Sequence, residues 1–198
     1  MKTREEKIAH AYKNFAEHKA ELKDLGSIQI LNWQQPGTVW YRIRYVFDRE
    51  GGRIYISGDL GEAVVQPTWP ATFGATCGAV CGGTRVVNEG YFLEKVRATS
   101  DRYEYDRDEA EKVVKENCPE IDEYDLETVM SDFDDDWGLR HLGDRARRIL
   151  DNFDEDCWEW FQTAGQSIDG RIYLWLVGLK MAWEQLNGGE HGAPSKAR

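Results

Sequence analysis

A chain of 198 residues is long enough for one domain, or two small ones, with a sizeable core. Its apolar share of 41% and aromatic share of 12% argue for a folded globule and against a disordered acidic chain. A net charge of −11 argues against direct nucleic-acid binding through a broad basic face, because phosphate contacts need clustered Lys and Arg.

The N-terminus opens directly on charged helical sequence (MKTREEKIAHAYKNF), so no secretory leader is expected. The thiols of Cys77, Cys81, Cys118 and Cys157 are therefore expected to be reduced and the protein cytoplasmic. No run approaches the ~18 apolar residues needed to span a bilayer, so no membrane contact is expected.

Thr3 to Asp24 reads as an amphipathic helix with Ile8, Tyr12, Phe15 and Leu22 on one face, ended by Gly26. From Ser27 the apolar period falls to two. Ser27 to Trp33 runs into the Gln-Gln-Pro-Gly turn. Thr38 to Asp48 then alternates, with Val39, Tyr41, Ile43, Tyr45 and Phe47 on one side and Trp40, Arg42 and Arg44 on the other. Arg49-Glu50-Gly51-Gly52 closes a hairpin, Arg53 to Gly58 returns, and Glu62 to Gln66 follows as a fourth strand. Three or four consecutive strands with short links predict an antiparallel meander.

Pro67 to Gly83 is rich in Gly, Ala and Thr and reads as a long loop or a poor helix. Asn88 caps a helix from Glu89 to Ala98, and Asp106 caps another from Arg107 to Asn117. Ile121 to Trp137 shows the sharpest 3.6-residue stripe: Leu126, Val129, Met130, Phe133 and Trp137. Arg140 to Asn152, Asp154 to Gln166 and Arg171 to Leu186 are also expected to be helical, and the tail 188–198 disordered. The expected architecture is α+β: an N-terminal helix, a three- to four-stranded antiparallel meander, then a helical C-terminal half packed on it. A single domain over residues 1–187 accommodates all of it.

Chemistry-bearing motifs are sparse. There is no Walker loop, nucleophile elbow or GxGxxG. Ser57-Gly58-Asp59-Leu60-Gly61 has the composition of a turn. Cys77 and Cys81 are wider apart than a zinc knuckle and lack a second ligand pair. His10, His18, His141 and His191 show no paired spacing, and the Asp-rich run lacks the glycine and terminal Glu of an EF-hand. No cofactor or metal is expected, and no enzymatic activity.

Charge is the stronger signal. Asp101 to Asp136 holds sixteen Asp and Glu against four Lys and Arg, a net of −12. Like charge concentrated this way opposes compaction, a cost that a binding role explains. Carboxylates at i, i+3 and i+4 on a helix lie about 5–6 Å apart, comparable to neighbouring phosphates of a nucleic-acid backbone. Asp122, Glu123, Glu127, Asp132, Asp134, Asp135 and Asp136 are the candidate partner-binding residues, forming an acidic helical face that acts as a DNA mimic. Arg140 to Arg148 follow closely enough to neutralise part of it.

The segment Tyr45 to Val64 (YVFDREGGRIYISGDLGEAV), with YFLEKV at Tyr91 to Val96 and DRYEYD at Asp101 to Asp106, resembles a group of small phage- and mobile-element-encoded proteins that includes anti-CRISPR proteins. The resemblance covers about residues 42–110 and implies a phage protein that binds a CRISPR-Cas effector and blocks its nucleic-acid channel. Two alternatives stand beside it. One is a phage accessory or regulatory protein whose exposed aromatics bind another host protein. The other is a metal-dependent enzyme using Cys77, Cys81 or the Ser57–Gly61 turn.

Overall fold

The computed structural model describes residues 2–82, 86–99, 101–132 and 142–188. The fold is α+β, with an N-terminal helix, an antiparallel sheet of consecutive strands and a helical C-terminal half. By contact density it divides into two compact units. Lys2–Ser100 and Gly170–Arg198 form a sheet unit, and Asp101–Asp169 is a continuous insert within it.

The sheet unit starts with α1 (Arg4–Asn14). Thr3 and Glu6 cap it reciprocally: the Thr3 hydroxyl accepts from the Glu6 N–H at 3.2 Å, and Glu6 Oε2 accepts from the Thr3 N–H at 2.7 Å. Six strands follow, β1 (Lys19–Asp24), β2 (Ile28–Gln34), β3 (Ile43–Asp48), β4 (Arg53–Gly58), β5 (Ala63–Val65) and β6 (Val96–Thr99). They pair in sequence order and always antiparallel, so every neighbour in the sheet is a neighbour in the chain. Between β5 and β6 lie α2 (Phe73–Val80) and α3 (Glu89–Lys95), and α8 (Gly170–Leu186) closes the unit.

Alternation along the strands sends Leu31, Trp33, Ile43, Tyr45, Phe47, Ile54, Ile56 and Val65 to one face, where all are buried. Helix α8 supplies Ile172, Trp175, Leu176, Leu179 and Ala182 to the core of this unit, again all buried. Full burial is worth about 1.5–3 kcal/mol for each large apolar side chain. A Cβ on Gly178 would sit 3.0 Å from the Trp33 ring, so the glycine lets α8 lie close to β2. The Tyr45 hydroxyl donates to the Trp175 carbonyl at 2.6 Å, tying β3 to α8.

Four local expectations are corrected here. The helix expected over Thr3 to Asp24 ends at Asn14, and Lys19–Asp24 is an edge strand paired with β2. Gly26, with φ +83°, turns the β1–β2 hairpin instead of capping a helix. The Thr38 to Asp48 strand begins only at Ile43, because Tyr41 is held at φ +56°. The Glu89 to Ala98 helix stops at Lys95, and its last residues become β6 against β5.

The insert opens with β7 (Tyr103–Tyr105) and closes with β8 (Gln166–Ile168), which pair antiparallel with Tyr103 opposite Ile168. Between them are α4 (Arg107–Asn117), α5 (Glu123–Ser131), α6 (Asp144–Asp151) and the short α7 (Trp158–Phe161). The insert has its own core, in which Ala110 and Val114 of α4 meet Leu126, Val129 and Met130 of α5 and Ala146, Ile149 and Leu150 of α6. The expected Ile121 to Trp137 helix ends at Ser131, while Phe133 and Trp137 lie outside the described residues. The Asp154 to Gln166 helix is reduced to one turn followed by β8. Residues 189–198, most of the expected tail, also lie outside the described residues.

Candidate partner-binding surface

The boundary of the insert is also a boundary in charge. Asp101 to Asp169 contains twenty-three Asp and Glu against eight Lys and Arg, a net of −15. The remainder of the chain carries +4. The acidic block recognised in the sequence is thus one structural unit, and it extends some thirty residues further than Asp136.

Within this unit the carboxylates divide by what they touch. Asp122 caps α5, its Oδ1 accepting from the Asp125 N–H at 2.8 Å. Asp132 ends the same helix, and its Oδ2 accepts from the Gly143 N–H at 2.8 Å, joining the end of α5 to the start of α6. Both therefore have structural partners. Glu123 and Glu127 stand exposed one turn apart on α5, together with Glu116 and Glu120 at the end of α4 and just beyond it. Asp134, Asp135 and Asp136 lie outside the described residues.

A groove of about 520 Å³ runs between α4 and α5, with Leu126, Met130 and Ile121 at its base. Its rim is mixed in sign: Glu111, Glu123 and Glu127 face Arg107 and Lys115. Lys115 Nζ lies 2.5 Å from Glu111 Oε1, and Lys112 Nζ 2.7 Å from Glu109 Oε1, so the first half of α4 is largely neutralised by its own lysines. Arg107 donates to the Met130 carbonyl. Glu116, Glu120, Glu123 and Glu127 are exposed and make no ion pair among the described residues, although Arg107 and Lys115 line the same groove as Glu123 and Glu127. Glu116 and Glu120 are not among the residues that the charge pattern of α5 singles out: Glu116 belongs to the last turn of α4, and Glu120 lies in the link between the two helices.

The arginines of α6 act differently from a simple counter-charge. The Arg145 guanidinium stacks over the Tyr124 ring at 5.2 Å and donates to its hydroxyl. Arg147 approaches Asp151 of its own helix at 4.0 Å. Tyr124 is itself 63% exposed, so α5 presents an aromatic ring beside its glutamates.

Cys77, Cys118 and Cys157 are held as thiols. Burial pushes Cys77 and Cys118 up, and burial with the Asp151 carboxylate at 3.2 Å pushes Cys157 up to about 12. Among the described residues no group of three His, Cys, Asp or Glu is placed to hold a metal ion. The Ser57–Gly61 segment is the β4–β5 turn, where Asp59 Oδ2 accepts from the Tyr41 N–H at 2.6 Å. A second concavity, of about 620 Å³, lies over β4 to β6 on Tyr55, Val64 and Ala98. No helix among the described residues is long and apolar enough to cross a membrane. No family model, curated protein or solved structure matches the chain.

Proposed function

We propose that the protein is an inhibitor of the anti-CRISPR type, whose acidic insert occupies the Lys/Arg-rich nucleic-acid channel of a CRISPR-Cas effector. The observation that carries the reading is the coincidence of charge and structure: −15 is confined to one compact unit with its own core. A solvated surface needs only modest mixed charge, and a unit this acidic is suited to a cationic groove. The target class follows from the resemblance of residues 42–110.

The test is competition for guide-loaded effector against its DNA, with Glu116, Glu120, Glu123 and Glu127 all changed to Gln. Each exposed carboxylate contributes a few tenths to about 1 kcal/mol at low salt, so the quadruple variant is expected to weaken inhibition about tenfold or more. Inhibition by the unaltered protein should also fall as ionic strength rises. Undiminished inhibition by a variant with native circular dichroism would sink the reading. A second reading, binding of another host protein through exposed aromatics, is favoured by Trp40 at 73% and Trp158 at 51% exposure.

A further inference from the structure

Tyr41, in the link between β2 and β3, is the one non-glycine residue among those described with a positive φ, +56°. That region costs an L-residue about 1 kcal/mol or more and persists only where its surroundings enforce it. Here two titratable side chains do so. The Tyr41 N–H donates to Asp59 Oδ2 at 2.6 Å, and the Tyr41 carbonyl lies 3.2 Å from His18 Nε2. Immediately before this clamped peptide, Val39 and Trp40 are 66% and 73% exposed.

His18 is 2% exposed. Its ring lies 4.8 Å from that of Phe15 and 5.5 Å from that of Trp33, centroid to centroid. A carbonyl only accepts, so Nε2 carries the proton of the neutral ring. Nδ1 is then a bare acceptor, buried and without a hydrogen-bond partner.

We infer that His18 is a proton-operated latch on the 38–42 segment: the neutral imidazole holds the Tyr41 peptide and fixes Trp40 outward, and the imidazolium releases it. A second proton, on Nδ1, creates a charged donor with no acceptor inside an aromatic pocket. The charged group facing the ring is the Asp59 carboxylate of the β4–β5 turn, already engaged by the Tyr41 N–H. The other packed elements offer neutral groups: Phe15 after α1, Trp33 of β2 and Gln185 of α8, which donates to the His18 carbonyl at 3.2 Å.

Burial holds the latched ring below its ordinary value, against the smaller opposing pulls of the Tyr41 carbonyl, Asp59 and the Trp40 backbone. A released ring takes its proton near about 6.5 and the latched ring only at lower pH. The latch is therefore whole above that value and weakens as pH falls below it. Opening moves the imidazolium toward water and relieves the Tyr41 backbone, so Trp40 loses its fixed direction.

The experiment is an NMR titration of the whole protein from pH 8 to pH 5, following the His18 ring protons and the amides of Trp40 and Tyr41. One common midpoint below about 6.5 is expected, with line broadening at Trp40 and Tyr41 on the acid side. In His18→Gln, whose carboxamide donates without titrating, that transition should vanish. Asp59→Asn removes the facing charge and should move the midpoint lower still; it decides the matter if His18→Gln does not fold. A His18 midpoint at or above the ordinary value, or Trp40 and Tyr41 amides that do not follow it, overturns the latch.

Discussion

Gly58 illustrates how one missing methyl group shapes the sheet unit. Its φ is +141°, and a Cβ there would lie 2.0 Å from the Arg42 carbonyl oxygen, which accepts from the Asp59 N–H at 3.2 Å. The glycine thus lets the end of β4 press against the start of β3 and positions Asp59 beneath Tyr41. Gly58→Ala combines strain with a backbone collision and is expected to destabilise the protein by about 2–4 kcal/mol. Thermal unfolding followed by circular dichroism reads this directly. A melting temperature within a degree of the parent protein would show that β3 and β4 separate there without cost. The same residue stands in the Ser57–Gly61 turn that the enzyme alternative would use, and its backbone conformation accounts for the glycine structurally.

At the scale of elements, β3 and α8 hold the sheet unit together, and the Tyr45 hydroxyl on the Trp175 carbonyl is the polar contact inside that apolar layer. Tyr45→Phe keeps the ring and removes the bond, so a loss of about 1 kcal/mol in urea unfolding is expected, with an unchanged denaturant slope. A loss below a few tenths would mean that water replaces the hydroxyl. Both elements were legible in the sequence, because Ile43, Tyr45 and Phe47 alternate and Ile172, Trp175, Leu176 and Leu179 repeat at helical spacing. Strands β1 and β6 were not. Lys19–Asp24 continues a helical pattern from α1, and Val96–Thr99 completes one from α3; each becomes a strand because a partner outside its own pattern, the next strand β2 for the first and the sequence-distant β5 for the second, supplies the hydrogen bonds. The candidate surface was legible in the same partial way. Charge density marked the region, but the structural roles of Asp122 and Asp132 depend on where α5 starts and stops, and element ends are what periodicity fixes least.

At the scale of the molecule, the insert leaves and rejoins the sheet unit at one place. Tyr103 pairs with Ile168, and the Asp169 N–H donates to the Arg102 carbonyl at 3.1 Å, so the two ends of a 69-residue segment run side by side. Replacing residues 101–169 by a short Gly/Ser linker is therefore expected to leave a sheet unit that folds by itself, with a single cooperative thermal transition. On the proposed reading the shortened protein should lose inhibition in effector competition, since the −15 unit is gone. A shortened protein that elutes as an expanded chain would show instead that the sheet needs the insert to fold. The β7–β8 ribbon has one more consequence, for motion. Because both strands of the exit are bonded to each other, the insert can open as a cooperative block without breaking any rung of the six-stranded ladder. Native-state hydrogen exchange would then resolve two opening energies in one chain, a lower one shared by α4, α5 and α6 and a higher one shared by β2, β3, β4 and α8.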